Sequence, residues 1–346
     1  MTVQGTDAYD RIPKVELHCH VEGTVRPQTV LELARKAGRP LPTEDPAELY
    51  RYDSLDSFLA IFWLVQEVLV TREDWARIAF ESIVDGASHG LRYREMFFTP
   101  ARHLASGQDL GEIVAGLTEG IEAAEAATGA RCMLIVGIDR AYGGSAGSEL
   151  VGLLGELRRG GLADRVIGIG ADSTELGVDL HQFAPAFVAA GRMGLRRTCH
   201  AGEAVGVGPD NIRVALDDLG AQRIDHGVAI VEDDELLRRI ARDRIPLTVC
   251  PTSNVVIANR FASLAEHPLP ALLEAGLLIT INTDDPAMTD LDLGREYRAV
   301  AEAHGMSIKS LAALALDGIE STWLDASDRS VLRAEFEAAI AQLPAT

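Results

Sequence analysis

Two histidines one residue apart, His18-Cys19-His20, are the first groups along the chain arranged for chemistry. On an extended segment, residues i and i+2 face the same side. Both imidazoles can then converge on one metal ion while Cys19 turns away into packing. His200 and Asp284 would complete a set of three nitrogens and one oxygen, a donor set that suits Zn²⁺ and leaves a position for water. Zinc lowers the pKa of bound water to about 7, so the chemistry on offer is hydrolysis at an electrophilic carbon. Glu203 stands three residues after His200 in His200-Ala201-Gly202-Glu203. Gly202 permits a sharp turn that sets the carboxyl beside the metal ligand, where burial would raise its pKa and make it a general acid. His226 can hydrogen-bond the attacking water. Thr283-Asp284-Asp285-Pro286 puts two carboxylates in succession, and both cannot be buried, charged and unpaired. A metal on Asp284, and a ring nitrogen accepting a hydrogen bond from a protonated Asp285, would resolve that conflict. Taken singly, each of these residues also reads as a packed histidine or a solvated loop acid. Their joint placement is what points to a site.

Joint placement needs a scaffold that gathers residues far apart in the chain. Eight short apolar runs read as strands: Val15–Leu17, Tyr93–Phe98, Met133–Ile138, Val166–Ile169, Arg197–Cys199, Arg223–Ile224, Leu247–Cys250 and Leu278–Ile281. Most are separated by helical patterns. In Asp233–Asp243, Leu236, Leu237 and Ile240 form one apolar face among charges, the period expected of an amphipathic helix. Leu110–Ala127 and Pro209–Leu219 read similarly. Eight strands alternating with helices predict a (β/α)₈ TIM barrel, an α/β fold, with a doubly wound open sheet as the structural alternative. Extra helices are expected between strands one and two, at Pro27–Ala37 and Leu55–Val70, and at the C-terminus over Leu293–Leu343. In such barrels reactive residues collect at the C-terminal ends of the strands, which is where His18, His20, His200, Glu203, Asp225, His226, Asp284 and Asp285 fall. No linker or repeat divides the chain, so one barrel domain over residues 1–346 is expected.

Composition narrows the partners. The 346 residues carry 52 acidic and 32 basic side chains, a formal charge of −20. Nucleic acids and anionic membranes are poor partners for that balance, because phosphate binding needs clustered Lys and Arg. The longest apolar run, Phe58–Val65, is too short to cross a bilayer, and the N-terminal stretch shows no apolar leader segment. Cys19, Cys132, Cys199 and Cys250 lie far apart in apolar segments and read as buried reduced thiols. A cytoplasmic enzyme acting on a small molecule is the expectation. No lysine lies between Lys36 and Lys309, so a lysine-derived carbamate bridging two metals after strand four is impossible and one metal is expected.

Five strings in order, Pro13-Lys14-Val15-Glu16-Leu17-His18-Cys19-His20-Val21-Glu22-Gly23, His200-Ala201-Gly202-Glu203, Asp225-His226-Gly227, Cys250-Pro251-Thr252-Ser253-Asn254 and Asn282-Thr283-Asp284-Asp285-Pro286, resemble the adenosine deaminase-like family of amidohydrolases. The resemblance implies a (β/α)₈ barrel with one catalytic Zn²⁺ held by His18, His20, His200 and Asp284. It implies that Glu203 protonates ring N1 of a 6-aminopurine, that His226 positions and stabilises the attacking hydroxide, and that Asp285 contacts N7. C6 then loses ammonia, leaving a 6-oxopurine. Glu22, Gly23, Ser173 and Glu175 are the residues it places around the rest of the substrate.

Several positions look closer to the adenine deaminase branch than to adenosine deaminases: Glu22 in place of Asp, Ser173-Thr174-Glu175 in place of Gly-Asp-Glu, Ile224-Asp225-His226-Gly227 in place of Ile-Gly-His-Gly, and Glu95-Met96-Phe97-Phe98 in place of Glu-x-Arg. A glutamate at position 22 would reach further into the pocket and crowd a ribose. The chain departs from that branch at Ala101-Arg102-His103 and at Ala171, and Tyr142–Ser148 reads as a Gly-rich loop that could admit a larger substrate. Adenine, adenosine, and a modified aminopurine such as aminodeoxyfutalosine or an N6-substituted purine all remain open at this point. So do two readings of other kinds. One is a different hydrolase on the same barrel, for which Arg140 offers a lone phosphate contact, and the other is a non-catalytic purine-binding protein. The HxE…PCxxC signature of nucleic-acid base deaminases is not met, since Cys250-Pro251 has the reverse order and no second cysteine follows. Phe62, Trp63, Phe97 and Phe98 read as core before pocket lining, and the oligomeric state is not legible.

Overall fold

The eight apolar runs pair in chain order. A computed structural model describes residues 7–52 and 55–343. The first six residues, part of the stretch read as lacking a leader, lie outside the described residues. Strands β1 (Lys14–Glu16), β2 (Leu91–Phe98), β3 (Arg131–Asp139), β4 (Val166–Asp172), β5 (Arg196–Ala201), β6 (Arg223–His226), β7 (Leu247–Val249) and β8 (Ile279–Ile281) form one sheet in the order 1 to 8. All seven pairings are parallel. The ring closes just beyond β1 and β8, where Asp284 N donates to His18 O at 3.2 Å and His20 N donates to Asp284 O at 3.0 Å. Sequential order with closure is a (β/α)₈ TIM barrel, and the open doubly wound alternative falls.

Both faces of such a sheet are covered, so its strands need not alternate in polarity. Met96, Phe97 and Phe98 on β2 are all fully buried. The N-terminal end of the barrel is plugged by Trp323, which reaches it from the C-terminal segment. A Cβ on Gly168 of β4 would lie 2.5 Å from its ring. The Arg223 guanidinium sits 3.9 Å from the ring centroid and pairs with Glu95 at 2.6 Å. The C-terminal helices Leu293–His304, Ile308–Asp317 and Ala326–Ile340 therefore belong to the barrel. Leu311, Ala312, Leu332 and Phe336 are buried in its core.

Between β1 and β2 the expected helices appear as Pro27–Ala37 and Leu55–Val68, joined by Pro46–Leu49 and by a long helix not anticipated, Arg72–Ser88. Its start is a capping box. The Thr71 side chain accepts from Asp74 N, and the Asp74 side chain accepts from Thr71 N at 2.9 Å, satisfying two otherwise orphaned donors. Arg72–Ser88 packs on Leu110–Thr128 at glycine contacts, since a Cβ on Gly120 would fall 2.0 Å from Ala76 O. The loop expected at Tyr142–Ser148 is instead a 3₁₀ turn, Arg140–Tyr142, running into helix Gly143–Arg159. Its glycines serve close packing: a Cβ on Gly144 would meet Gln182 O at 2.2 Å, and one on Gly147 would meet Ile138 Cγ2 at 2.8 Å. The segment is thus a packed helix start and not a glycine-rich loop. All four cysteines are buried and free. No described helix is long and apolar enough to cross a membrane.

Candidate metal centre and active site

Four side chains from three strand ends converge at the C-terminal mouth of the barrel. His18, His20, His200 and Asp284 are all buried and offer ligand atoms within 4.8 Å of one another. His20 Nε2 and His200 Nε2 are 3.1 Å apart. Asp284 Oδ1 lies 3.2 Å from His18 Nε2 and 3.4 Å from His20 Nε2. Hydrogen bonds behind the rings decide which nitrogen carries the proton. Thr248 Oγ1 donates to Asp225 Oδ1 at 2.8 Å, so it accepts from His18 Nδ1 at 3.1 Å. In the neutral ring His18 Nε2 is then the lone pair; it is buried and makes no hydrogen bond. Asp225 Oδ2 also faces His200 Nδ1 at 3.4 Å, the arrangement that orients metal-bound imidazoles. Asp225 therefore works behind two of the candidate ligands. The fourth, Asp284, accepts from Ser253 Oγ at 2.6 Å on its other oxygen. Burial pushes the His20 imidazole down to about 3, which keeps it neutral and able to ligate. Against its own burial, the His18 ring is pushed the other way, up, by the Asp284 carboxylate beside it, the attraction that a cation placed among these groups would take over. Three imidazoles and one carboxylate converging on one point fit a single divalent cation. Phe97, fully buried, stacks on His20 with centroids 5.0 Å apart and touches His18 and His200 edge-on or tilted at 5.4 Å, so it is the wall that holds the imidazoles.

Glu203 and His226 face each other beside this cluster, with Glu203 Oε2 3.5 Å from His226 Nε2. Burial, then Asp284, then Glu175, pushes the Glu203 carboxyl up to about 8, the shift that a general acid at neutral pH requires. Glu175, expected to bind substrate, is engaged elsewhere. Its oxygens accept from Gly202 N at 2.6 Å, Glu203 N at 3.0 Å, Ala204 N at 3.2 Å and Asn211 Nδ2 at 3.0 Å. It fixes the turn that presents Glu203 and has no free edge for a ligand. The tautomer of His226 is set from further back. Leu269 N donates to His267 Nδ1 at 3.2 Å, so His267 donates through Nε2 to Asn254 Oδ1 at 3.2 Å. The Asn254 amide then donates to His226 Nδ1 at 3.1 Å, and the His226 proton sits on Nε2, facing the site. Asn254 and His267 are functional positions that sequence reasoning missed; the Cys250–Asn254 string contained the first without revealing its role. Replacing His267 by Phe frees Asn254 to turn its amide. We expect kcat to fall by about tenfold with metal content unchanged, measurable by steady-state kinetics with elemental analysis.

The remaining polar groups form a buried carboxyl set. Glu22, Asp172 and Asp285 are each at most 6% exposed, and each has one oxygen without a hydrogen-bond partner. Burial pushes Glu22 and Asp172 up to about 7 and raises Asp285 strongly, with Asp284 adding to the effect. A protonated Asp285 can therefore donate. Gly23 is what lets it lie so close, since a Cβ there would fall 1.8 Å from Asp285 Oδ1. Ser173 is exposed at the mouth with φ of 70°. Arg140, weighed as a phosphate contact, is 2% exposed. Its Nε donates to Asp172 O at 2.7 Å, its Nη1 to His200 O at 2.7 Å and its Nη2 to Ser173 O. It clamps the β4 and β5 ends and has no free face for a phosphate. His226 (φ 60°) and Asp284 (φ 64°) share the left-handed backbone of Ser173. Such conformations cost side-chain-bearing residues about 1–3 kcal/mol each and cluster at functional sites.

Comparison with known proteins agrees with this geometry. The profile of the family described as adenosine deaminase matches residues 13–339. The chain belongs to the adenosine deaminase family. Its members are metal-dependent hydrolases of C–N bonds in cyclic amidines, and so is this chain. The adenine deaminase of Streptomyces coelicolor is 38% identical over 338 residues, covering 96% of each chain. Among solved structures of this adenosine deaminase family, the adenine deaminase of Arthrobacter aurescens superposes with a TM-score of 0.88 at 32% identity over 95% of this chain and 99% of that one. A zinc-bound amidohydrolase from Burkholderia ambifaria gives 0.89 at 30% identity, over 99% and 95%. The N6-methyl-AMP deaminase of Arabidopsis thaliana gives 0.82 at 27%, over 96% and 98%.

Proposed function

We propose that this chain is a single-barrel, zinc-dependent adenine deaminase that converts adenine and water to hypoxanthine and ammonia. The observation that carries the chemistry is the acid Glu203, held up to about 8 beside the four-residue candidate metal set. Adenine as the substrate is supported by the likeness to adenine deaminases along nearly the whole chain. It is supported too by Glu22, a fully buried carboxyl that on this reading takes up the room a sugar would need. His18, His20, His200 and Asp284 would hold the ion, which when bound would activate a water molecule at neutral pH.

The chain's own groups do the rest. Protonated Glu203 gives its proton to N1 of the base, which draws electrons from C6. Asp285, kept protonated by burial and by Asp284, donates to N7 and fixes the ring. His226 Nε2–H donates to the oxygen entering at C6 and holds it on line. As the C6–O bond forms, one proton of the water restores Glu203 and the other passes to the amino group, so that the C6–N bond breaks with ammonia as the leaving group and C6 becomes the carbonyl of hypoxanthine. The free base requires no phosphate contact, and the guanidinium groups that reach the β4 and β5 ends offer none. Arg140 is fully engaged, and Arg260 donates to Ala204 O at 2.6 Å and to Glu232 at 2.6 Å. That favours a base over a nucleotide.

The direct test is to load the purified chain with zinc and follow ammonia release from adenine, with hypoxanthine formed in equal amount. Absence of turnover in protein carrying one metal per chain would remove the proposal. The acid form of Glu203 exists below its raised pKa, and a bound cation would pull that pKa down from about 8. A plot of kcat/KM for adenine against pH should therefore turn down at or below about 8 and keep falling as pH rises. A profile still rising there would exclude Glu203 as the acid.

A further inference from the structure

One buried carboxyl in the set has no part in the chemistry just described. Asp172 ends β4, is 3% exposed and uses one oxygen, Oδ2, to accept from Thr99 Oγ1 at 2.6 Å. Thr99 follows β2, and its backbone N–H donates to Glu22 Oε1 at 2.9 Å. Thr99 thus ties two carboxyl groups from different strand ends into one unit. Each keeps one buried oxygen without a partner, Glu22 Oε2 and Asp172 Oδ1. Buried polar atoms in a folded protein are rarely left unpaired, so their retention points to a ligand that satisfies them. Space for the unit is made by Gly137 on β3, where a Cβ would fall 2.1 Å from Asp172 Oδ2 and 2.4 Å from Thr99 Oγ1.

Barrel order says which part of a purine these oxygens meet. Glu203 follows β5 and Asp285 follows β8. A base whose N1 meets the first and whose N7 meets the second turns its opposite edge, N3 and N9, toward the arc of β1, β2 and β4. Glu22, Thr99 and Asp172 stand on that arc. We propose that Asp172, tied to Glu22 by Thr99, is a specificity-determining residue that accepts the N9–H of the substrate, the one hydrogen a free base has and a nucleoside lacks. The inference rests on the adenine reading above and extends it. With N9 substituted, a buried acceptor is left facing carbon, the situation that gives polar sites their sharpest discrimination.

The test compares adenine with 9-methyladenine on the zinc-loaded full chain and its Asp172→Asn variant, with metal content measured for each. The wild type should prefer adenine by about 100-fold or more in kcat/KM. Asp172→Asn keeps the size of the side chain and an oxygen for Thr99 but presents an amide to N9–H. Its kcat/KM for adenine should drop while that for 9-methyladenine does not, so the ratio contracts toward one. Gly137→Ala pushes Asp172 and Thr99 aside while leaving the carboxyl chemically intact, and should contract the same ratio should the first variant not fold. Equal losses on both substrates would mean a merely structural Asp172 and overturn the proposal. Equal use of both substrates by the wild type would also overturn it while leaving the deaminase reading intact. A metal-loaded wild type inert on adenine would instead take down the adenine reading and this inference with it.

Discussion

Glu203→Gln should lower kcat on adenine by about 1,000-fold or more, within the range expected when a general acid is lost, while the chain still binds one metal per molecule. The amide has nearly the shape of the protonated acid and can keep the contact with His226, whose Nε2 lies 3.5 Å from the carboxylate in the native chain. What it lacks is a proton to give to N1. Without that transfer C6 stays a poor electrophile, whatever attacks it. Because the side chain is not one of the four converging ligand groups, metal content measured alongside activity separates loss of chemistry from loss of the centre. A variant that keeps a tenth of the native rate would show that N1 is protonated by another group.

Removal of the metal should have the second large effect. Chelation should abolish turnover, and zinc added back should restore it; His200→Ala should abolish turnover with no recovery. Behind this expectation is the geometry of the bare side chains: two imidazole Nε2 atoms 3.1 Å apart and a third Nε2 buried without a partner. A divalent cation would hold such a cluster together. The chelated chain should also melt at lower temperature than the zinc-loaded one, because an ion that binds only the folded state stabilises it by mass action. Full activity in chelated, metal-free protein would refute the role given to these four residues.

Much of this was legible in the sequence, for reasons that differ from element to element. The strands stood out because both faces of a parallel barrel are buried, so runs such as Arg131–Asp139 are almost wholly apolar. Helix Asp234–Asp243 was readable from its period, and the structure makes Asp233 its cap, the side chain accepting from Glu235 N and Leu236 N. His18, His20, His200 and Asp284 could be singled out because strand-end position and residue type coincide. The residues that position them could not. Arg140 looked like a spare cation, yet it acts through carbonyl oxygens contributed by residues 32 to 60 positions away, and no local pattern encodes that. Glu175 looked like a pocket acid but serves the backbone of the turn that carries Glu203. His267 reaches His226 only through Asn254. The glycines of Tyr142–Ser148 suggested a loop, because glycine disfavours helices. There the close approach of Gln182 outweighs propensity, since only glycine fits. Asp172 stood out only as the residue before Ser173-Thr174-Glu175 at the end of strand four, and its setting could not be read there because it depends on Thr99 and Gly137, which lie on two other strands or their ends.

The central claim is that this centre deaminates a free purine base. Its most direct test is to supply adenine, adenosine and 2′-deoxyadenosine side by side to the zinc-loaded chain and to measure kcat/KM by ammonia release. The account predicts efficient turnover of adenine and values lower by about 100-fold or more for both nucleosides, as expected when a buried polar edge is left unmatched. Preference for either nucleoside would contradict it, because the buried carboxyls of Glu22 and Asp172 could not then stand against the sugar-bearing edge of the base.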